Sequence, residues 1–110
     1  MNLADKPLAW CHSQVKTPPF SAEARHKAGF YLRLLQRGES LLMPVSRPLP
    51  QLGKRCHELR IGDREMTWRI IYRIDPDAIV IVEVFSKKSR TTPQIILETC
   101  RRRLREYDNA

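Results

Sequence analysis

The chain has 110 residues, 42% of them hydrophobic, enough for one modest core, and a single domain over residues 1–110 is expected. Twenty Lys and Arg against twelve Asp and Glu leave a net charge of +8, which favours a polyanionic partner, nucleic acid first, over a neutral small molecule. No run of about 18 apolar residues could span a bilayer, and the opening MNLADKPLAW lacks the sustained apolar stretch of a secretion signal, so a cytoplasmic protein with no membrane association is expected.

The first predicted element is a strand around Leu8 to Val15, closed by KTPPF. A helix follows, with Ser21 as N-cap and Glu23 in the first turn, where its charge suits the open amides. Ala24, Ala28, Tyr31, Leu32 and Leu35 fall on its apolar face, Arg25, Lys27, Arg33 and Arg37 look outward, and Gly38 stops it. The stretch ESLLMPVSRPLPQLGKRC opens with a short helical turn and then carries too many prolines for a helix or a central strand, so it reads as a connector.

Beyond it the hydrophobic period changes to two. RCHELRI, TWRIIYRID and AIVIVEVFS read as three strands joined by the turn-like GDREM and DPDA, short links that make neighbouring strands antiparallel. Thr92 is the expected N-cap of a last helix, with Pro93 at its first position and Ile96, Leu97, Cys100, Leu104 and Tyr107 as its apolar stripe. Helices grouped against one face of an antiparallel meander make an α+β domain.

Cys11, Cys56 and Cys100 are odd in number and widely spaced, and imply no disulfide framework. The pairs Cys11-His12 and Cys56-His57 sit in strand-like segments, where adjacent side chains point to opposite faces and cannot share an ion, so no metal and no other cofactor is expected.

Alternation also sorts the strand charges. Trp68, Ile70, Tyr72 and Ile74 share one face of their strand, and Arg69, Ile71 and Arg73 the other. Glu58 and Arg60 lie opposite Leu59 and Ile61, while Glu83, Phe85 and Lys87 alternate against Val80, Val82 and Val84. If the apolar sets pack together, an open face gathers Arg60, Arg69, Arg73 and Lys87 beside Lys88 and Arg90 of FSKKSRTTPQI. The plain alternative is a solvated face whose arginines pair with Glu58 and Glu83. The cations outnumber those carboxylates, however, and Arg presents a planar fork suited to phosphate oxygens.

LPQLGKRCHELRI, TWRIIYRID and IVIVEVFSKKSRTTPQII, in that order, together with RRRLREY, resemble the RelE/HigB-like toxins of bacterial type II toxin-antitoxin systems, in particular their phage-derived branch. The resemblance covers roughly residues 20–107. It implies a RelE-like fold, N-terminal helices and a C-terminal helix on an antiparallel sheet, and a metal-independent messenger-RNA endoribonuclease associated with the ribosome and silenced by a cognate antitoxin. In such enzymes the ribose 2′-hydroxyl attacks the adjacent phosphate. Carried over by position, Arg60, Arg69, Lys87 and Lys88 are the catalytic candidates, and Arg73, Arg90, Lys54 and Arg55 the RNA-binding ones. Relatives often use a late histidine or tyrosine as acid or base. Here His12, His26 and His57 all lie upstream, which leaves Glu83 and Tyr107, the latter also suited to the core edge. A ParE-like gyrase inhibitor and a non-catalytic RNA or ribosome binder share this architecture as alternatives.

Overall fold

The computed structural model describes residues 5–11, 20–64, 66–87 and 91–110, with Lys87 described by its backbone alone. In chain order the elements are β1 (Leu8–Trp10), α1 (Ala22–Gln36), β2 (Ser46–Pro48), β3 (Cys56–Asp63), β4 (Met66–Ile74), β5 (Ile79–Lys87) and α2 (Gln94–Asp108).

Helix α1 starts and stops for the expected reasons. Ser21 is extended, and its Oγ accepts from the Ala24 amide at 3.0 Å. The same hydroxyl donates to Asp63 Oδ1 at 2.7 Å, and Trp68 Nε1 donates to Asp63 Oδ2 at 2.9 Å, so one carboxylate ties the helix start to the β3–β4 hairpin. These bonds, that from Ser21 foremost, hold the Asp63 carboxyl below its ordinary value. At the far end Gly38, with φ of +90°, takes the left-handed conformation that side chains disfavour.

The sheet has five strands in the order β1-β5-β4-β3-β2. β3, β4 and β5 form the predicted antiparallel meander. Its flanks correct the purely antiparallel expectation: β1 joins β5 in parallel, from Leu8 opposite Ile79 to Trp10 opposite Ile81. β2, inside the stretch read as a connector, pairs antiparallel with β3. Pro48 fits there because β2 is an edge strand and an outward-facing position needs no amide. Residues 12–15 of the expected first strand lie outside the described residues, and a single N-terminal helix, α1, stands where helices were expected among the described residues.

A second correction concerns the faces. α1 packs Ala24, Ala28, Leu32 and Leu35 against Leu59, Ile61, Trp68, Ile70, Tyr72, Ile79 and Ile81. α2 packs Cys100 and Leu104 against Cys56, Ile71, Val80 and Val82, a separate cluster on the other side of the sheet. The helices therefore cover opposite faces. Ile71, Val80 and Val82 are fully buried there, and each such side chain contributes roughly 1.5–3 kcal/mol relative to exposure.

The register slips between Ile71, opposite Glu83, and Tyr72, opposite Ile81, which leaves Val82 as the extra residue of a β-bulge. Simple alternation along β5 fails at this point: Val80, Val82 and Phe85 belong to the α2 side, and Val84 packs on the α1 side. Thr92 is also not the cap. α2 begins at Gln94 behind Pro93 with no side-chain cap, and the Thr92 hydroxyl donates to Glu58 Oε2 at 2.7 Å.

Candidate nucleic-acid interface

The α2 side of β2, β3 and β4 carries two clusters of charge, each set by strand register. In the first, Arg47 lies opposite Glu58, Arg60 opposite Arg69, and Arg69 opposite Phe85. Glu58 is fully buried and Arg69 is 5% exposed. A buried carboxylate is tolerated only with its lone pairs filled by charged or strong donors. Glu58 Oε1 accepts from Arg69 Nη1 at 2.7 Å and from Arg47 Nε at 3.0 Å, while Oε2 accepts from Thr92. Arg47 Nη2 donates in turn to Thr92 Oγ1 at 3.1 Å. Arg69 is thus braced inside the fold, which corrects its expected place on an open face. Arg60 is half-buried, with its backbone amide on the Val45 carbonyl at 2.8 Å.

The second cluster lies toward the other end of β4. Arg73, also buried, grips Asp75 with Nε at 2.7 Å and Nη2 at 2.9 Å. It reaches Asp108 of α2 with Nη2 at 2.6 Å and Nη1 at 3.0 Å, and its guanidinium carbon lies 5.9 Å from the Tyr107 ring centre. Bonds to Asp108 and Asp75 raise the Arg73 pKa further, and the Arg73 bond holds the Asp108 carboxyl below its ordinary value. Arg55 joins through Asp75 at 3.0 Å, and Lys54 is an exposed neighbour in sequence. Four strand steps separate Arg69 from Arg73, roughly 13 Å. The expected common cradle is therefore split, with Arg60 and Arg69 in one group and Arg73 and Arg55 in the other.

The acid and base candidates have structural partners. Glu83 Oε2 meets Arg103 Nη1 of α2 at 3.2 Å and its Oε1 accepts from the Val84 amide, so Arg103, rather than Arg69 or Arg73, is its ion-pair partner. Tyr107 packs at the edge of the α2-side core beside Arg73, and burial raises its pKa. Lys87 ends β5 opposite Thr67, and Lys88 and Arg90 lie outside the described residues.

Arg47 is the member of the first cluster that sequence reasoning missed. Its signal was confined to three residues between prolines, too short to show a period. The thiols are free, and burial pushes Cys100 up to about 12. Among the described residues no three His, Cys, Asp or Glu side chains gather where a metal ion could sit, and no helix is long and apolar enough to cross a membrane.

Comparison with known proteins gives a match at the level of family. The family model described as Phage derived protein Gp49-like (DUF891) matches residues 19–105. No curated protein and no solved structure gives a match. The matched span takes in α1, the strands β2 to β5 and most of α2, including Arg47, Glu58, Arg60, Arg69 and Thr92. The chain belongs to the Gp49-like family of phage-derived proteins.

Proposed function

We propose that the protein is the toxin of a type II toxin-antitoxin system and cuts messenger RNA at the Arg60 end of the sheet, without a metal, on transcripts engaged by the ribosome. The observation that supports this most is the gathering of Arg47 and Arg69 on one buried carboxylate, with Arg60 opposite Arg69 on the strand between them. That gathering lies next to the strand end where Lys87, Lys88 and Arg90 follow in sequence. The Gp49-like family is a RelE/toxin-like family of toxin-antitoxin contexts, which supports the same reading.

In this mechanism Arg60 binds the scissile phosphate, and Arg69, held by Glu58, keeps the field at that position positive. Lys87 and Lys88 supply further charge and assist proton movement. The 2′-oxygen bonds to phosphorus, the bond from phosphorus to the 5′-oxygen breaks, and the 2′-proton ends on the leaving 5′-oxygen. The products are a cyclic phosphate and a 5′-hydroxyl. The cations act on charge that builds on the phosphoryl oxygens, a contribution of about 10²–10³ in rate for a well-placed donor. Arg73 and Arg55, tied to Asp75, serve the fold first and RNA second. Glu83 and Tyr107, each engaged near α2, leave proton transfer spread over the cationic groups.

A cognate antitoxin of acidic or apolar surface would cover this end of the cytoplasmic protein and silence it. Expression under tight control with mapping of transcript ends tests the reading: new 5′-hydroxyl ends inside coding regions and arrested growth are expected. Intact transcripts alongside abundant folded protein overturn it, and a DNA-damage response without cleavage selects gyrase inhibition instead.

A further inference from the structure

Thr92 occupies an unusual post for a residue at the foot of a helix. A threonine before a helix commonly satisfies the first open amides, yet α2 has no side-chain cap and Thr92 turns sideways into the sheet. It is 5% exposed and joins a closed circuit: its hydroxyl donates to Glu58 Oε2 at 2.7 Å and accepts from Arg47 Nη2 at 3.1 Å. Arg47 Nε returns to Glu58 Oε1 at 3.0 Å, where Arg69 Nη1 also bonds at 2.7 Å. All three partners carry charge: Glu58 is on the strand that bears Arg60, two residues before it, and Arg47 and Arg69 are on the strands either side.

The circuit anchors the foot of α2. Lys87 is held in the ladder opposite Thr67, and Thr92 is fastened to β3 by a charge-assisted bond. Lys88 and Arg90 fall in sequence between these two anchored points.

We propose that Thr92 and Arg47 are positioning residues: acting through Glu58, they lock the start of α2 onto the strands that carry Arg60 and Arg69. The assignment of a catalytic benefit rests on the ribonuclease reading, whereas the lock itself does not. Arg47 then serves the site without contacting RNA. Thr92 acts through its hydroxyl, so a side chain of the same shape without the hydroxyl should fail where serine succeeds.

The test uses the full chain with Thr92→Val and Thr92→Ser. In the free protein, hydrogen exchange is read at the Ile96 and Leu97 amides, which bond the Pro93 carbonyl at 3.1 and 3.2 Å at the foot of α2. Thr92→Val should speed their exchange about tenfold or more relative to amides in β4, as loss of a bond to a charged group implies, and Thr92→Ser should restore the wild-type rate. Equal exchange in wild type and Thr92→Val overturns the lock.

Cleavage of a translated messenger is measured in parallel. Thr92→Val should lower kcat about tenfold or more with KM for RNA changed less than threefold, with rescue by Thr92→Ser. A wild type that cuts while Thr92→Val keeps its kcat overturns the positioning role. A wild type that leaves RNA whole sinks the ribonuclease reading and the catalytic role with it, and the exchange result then decides the lock on its own.

Discussion

At the scale of single residues, three arginines that look alike in the sequence play different parts because their surroundings differ. Arg73 is saturated by Asp75 and Asp108, Arg69 is buried against Glu58, and Arg60 remains half-buried beside them. Replacing Arg69 by Ala leaves Glu58 inside the fold with one charged donor fewer, so a loss of about 3 kcal/mol is expected from urea unfolding. Arg60 is less buried than Arg69, so Arg60→Ala should cost less than Arg69→Ala, about 1 kcal/mol, which makes it the cleaner probe of function. The carboxyls of Asp63, bonded by Ser21 and Trp68, and of Asp108, bonded by Arg73, are both held below the ordinary carboxylate value in the folded chain. Their contribution is complete above that value and is lost as pH falls through the depressed folded pKa values. Asp63→Asn should therefore flatten the fall in stability on acidification below pH 4, and an unchanged slope would contradict the role given to Ser21 and Trp68. The alternating faces of β4 were legible in TWRIIYRID. Which arginine would be buried was not, since that depends on partners 11 to 35 residues away, in Glu58 and Asp108.

At the scale of elements, α1 and the β3–β5 meander follow from local signals: a cap, a stop and the change of period from 3.6 to two. The placement of α2 on the face opposite α1 departs from the one-face expectation, although the sequence carries a hint of it. AIVIV is apolar at consecutive positions, the pattern of a strand covered on both faces, and Ile71 sits between two arginines for the same reason. The bulge at Val82 then brings Glu83 to Arg103 of α2, a pairing that strict alternation hides. β1 and β2 are three residues each, and only their neighbours in the sheet reveal them. A consequence of α2 lying on this face is that Cys100 is sealed beneath it, fully buried and with its thiol pushed up to about 12. At pH 8 its reaction with a disulfide reagent should run at least a hundredfold slower in the native protein than in urea. Rapid native labelling would mean that the helix lifts readily from the sheet.

For the molecule as a whole, the excess of eight positive charges is distributed unevenly. Acidic partners hold Arg55 and Arg73 at the Asp75 and Asp108 end, and on α1 Glu23 meets Lys27 and Asp5 meets Arg33. At the other end a single buried carboxylate organises Arg47 and Arg69 next to Arg60, which is where the site is proposed. Binding through such a cluster is salt-dependent, and RNA affinity should fall as salt rises, with Arg60→Ala lowering the slope by about one phosphate contact. The most direct measurement is single-turnover cleavage of a translated messenger by purified wild type and Arg60→Ala, with a chelator present and fragment ends identified. The ribonuclease reading requires cyclic-phosphate and 5′-hydroxyl ends from wild type at an undiminished rate, and a loss of about 10²–10³ in the variant while it remains folded at the assay temperature. Equal rates in the two proteins, or no cleavage by folded wild type, would contradict it.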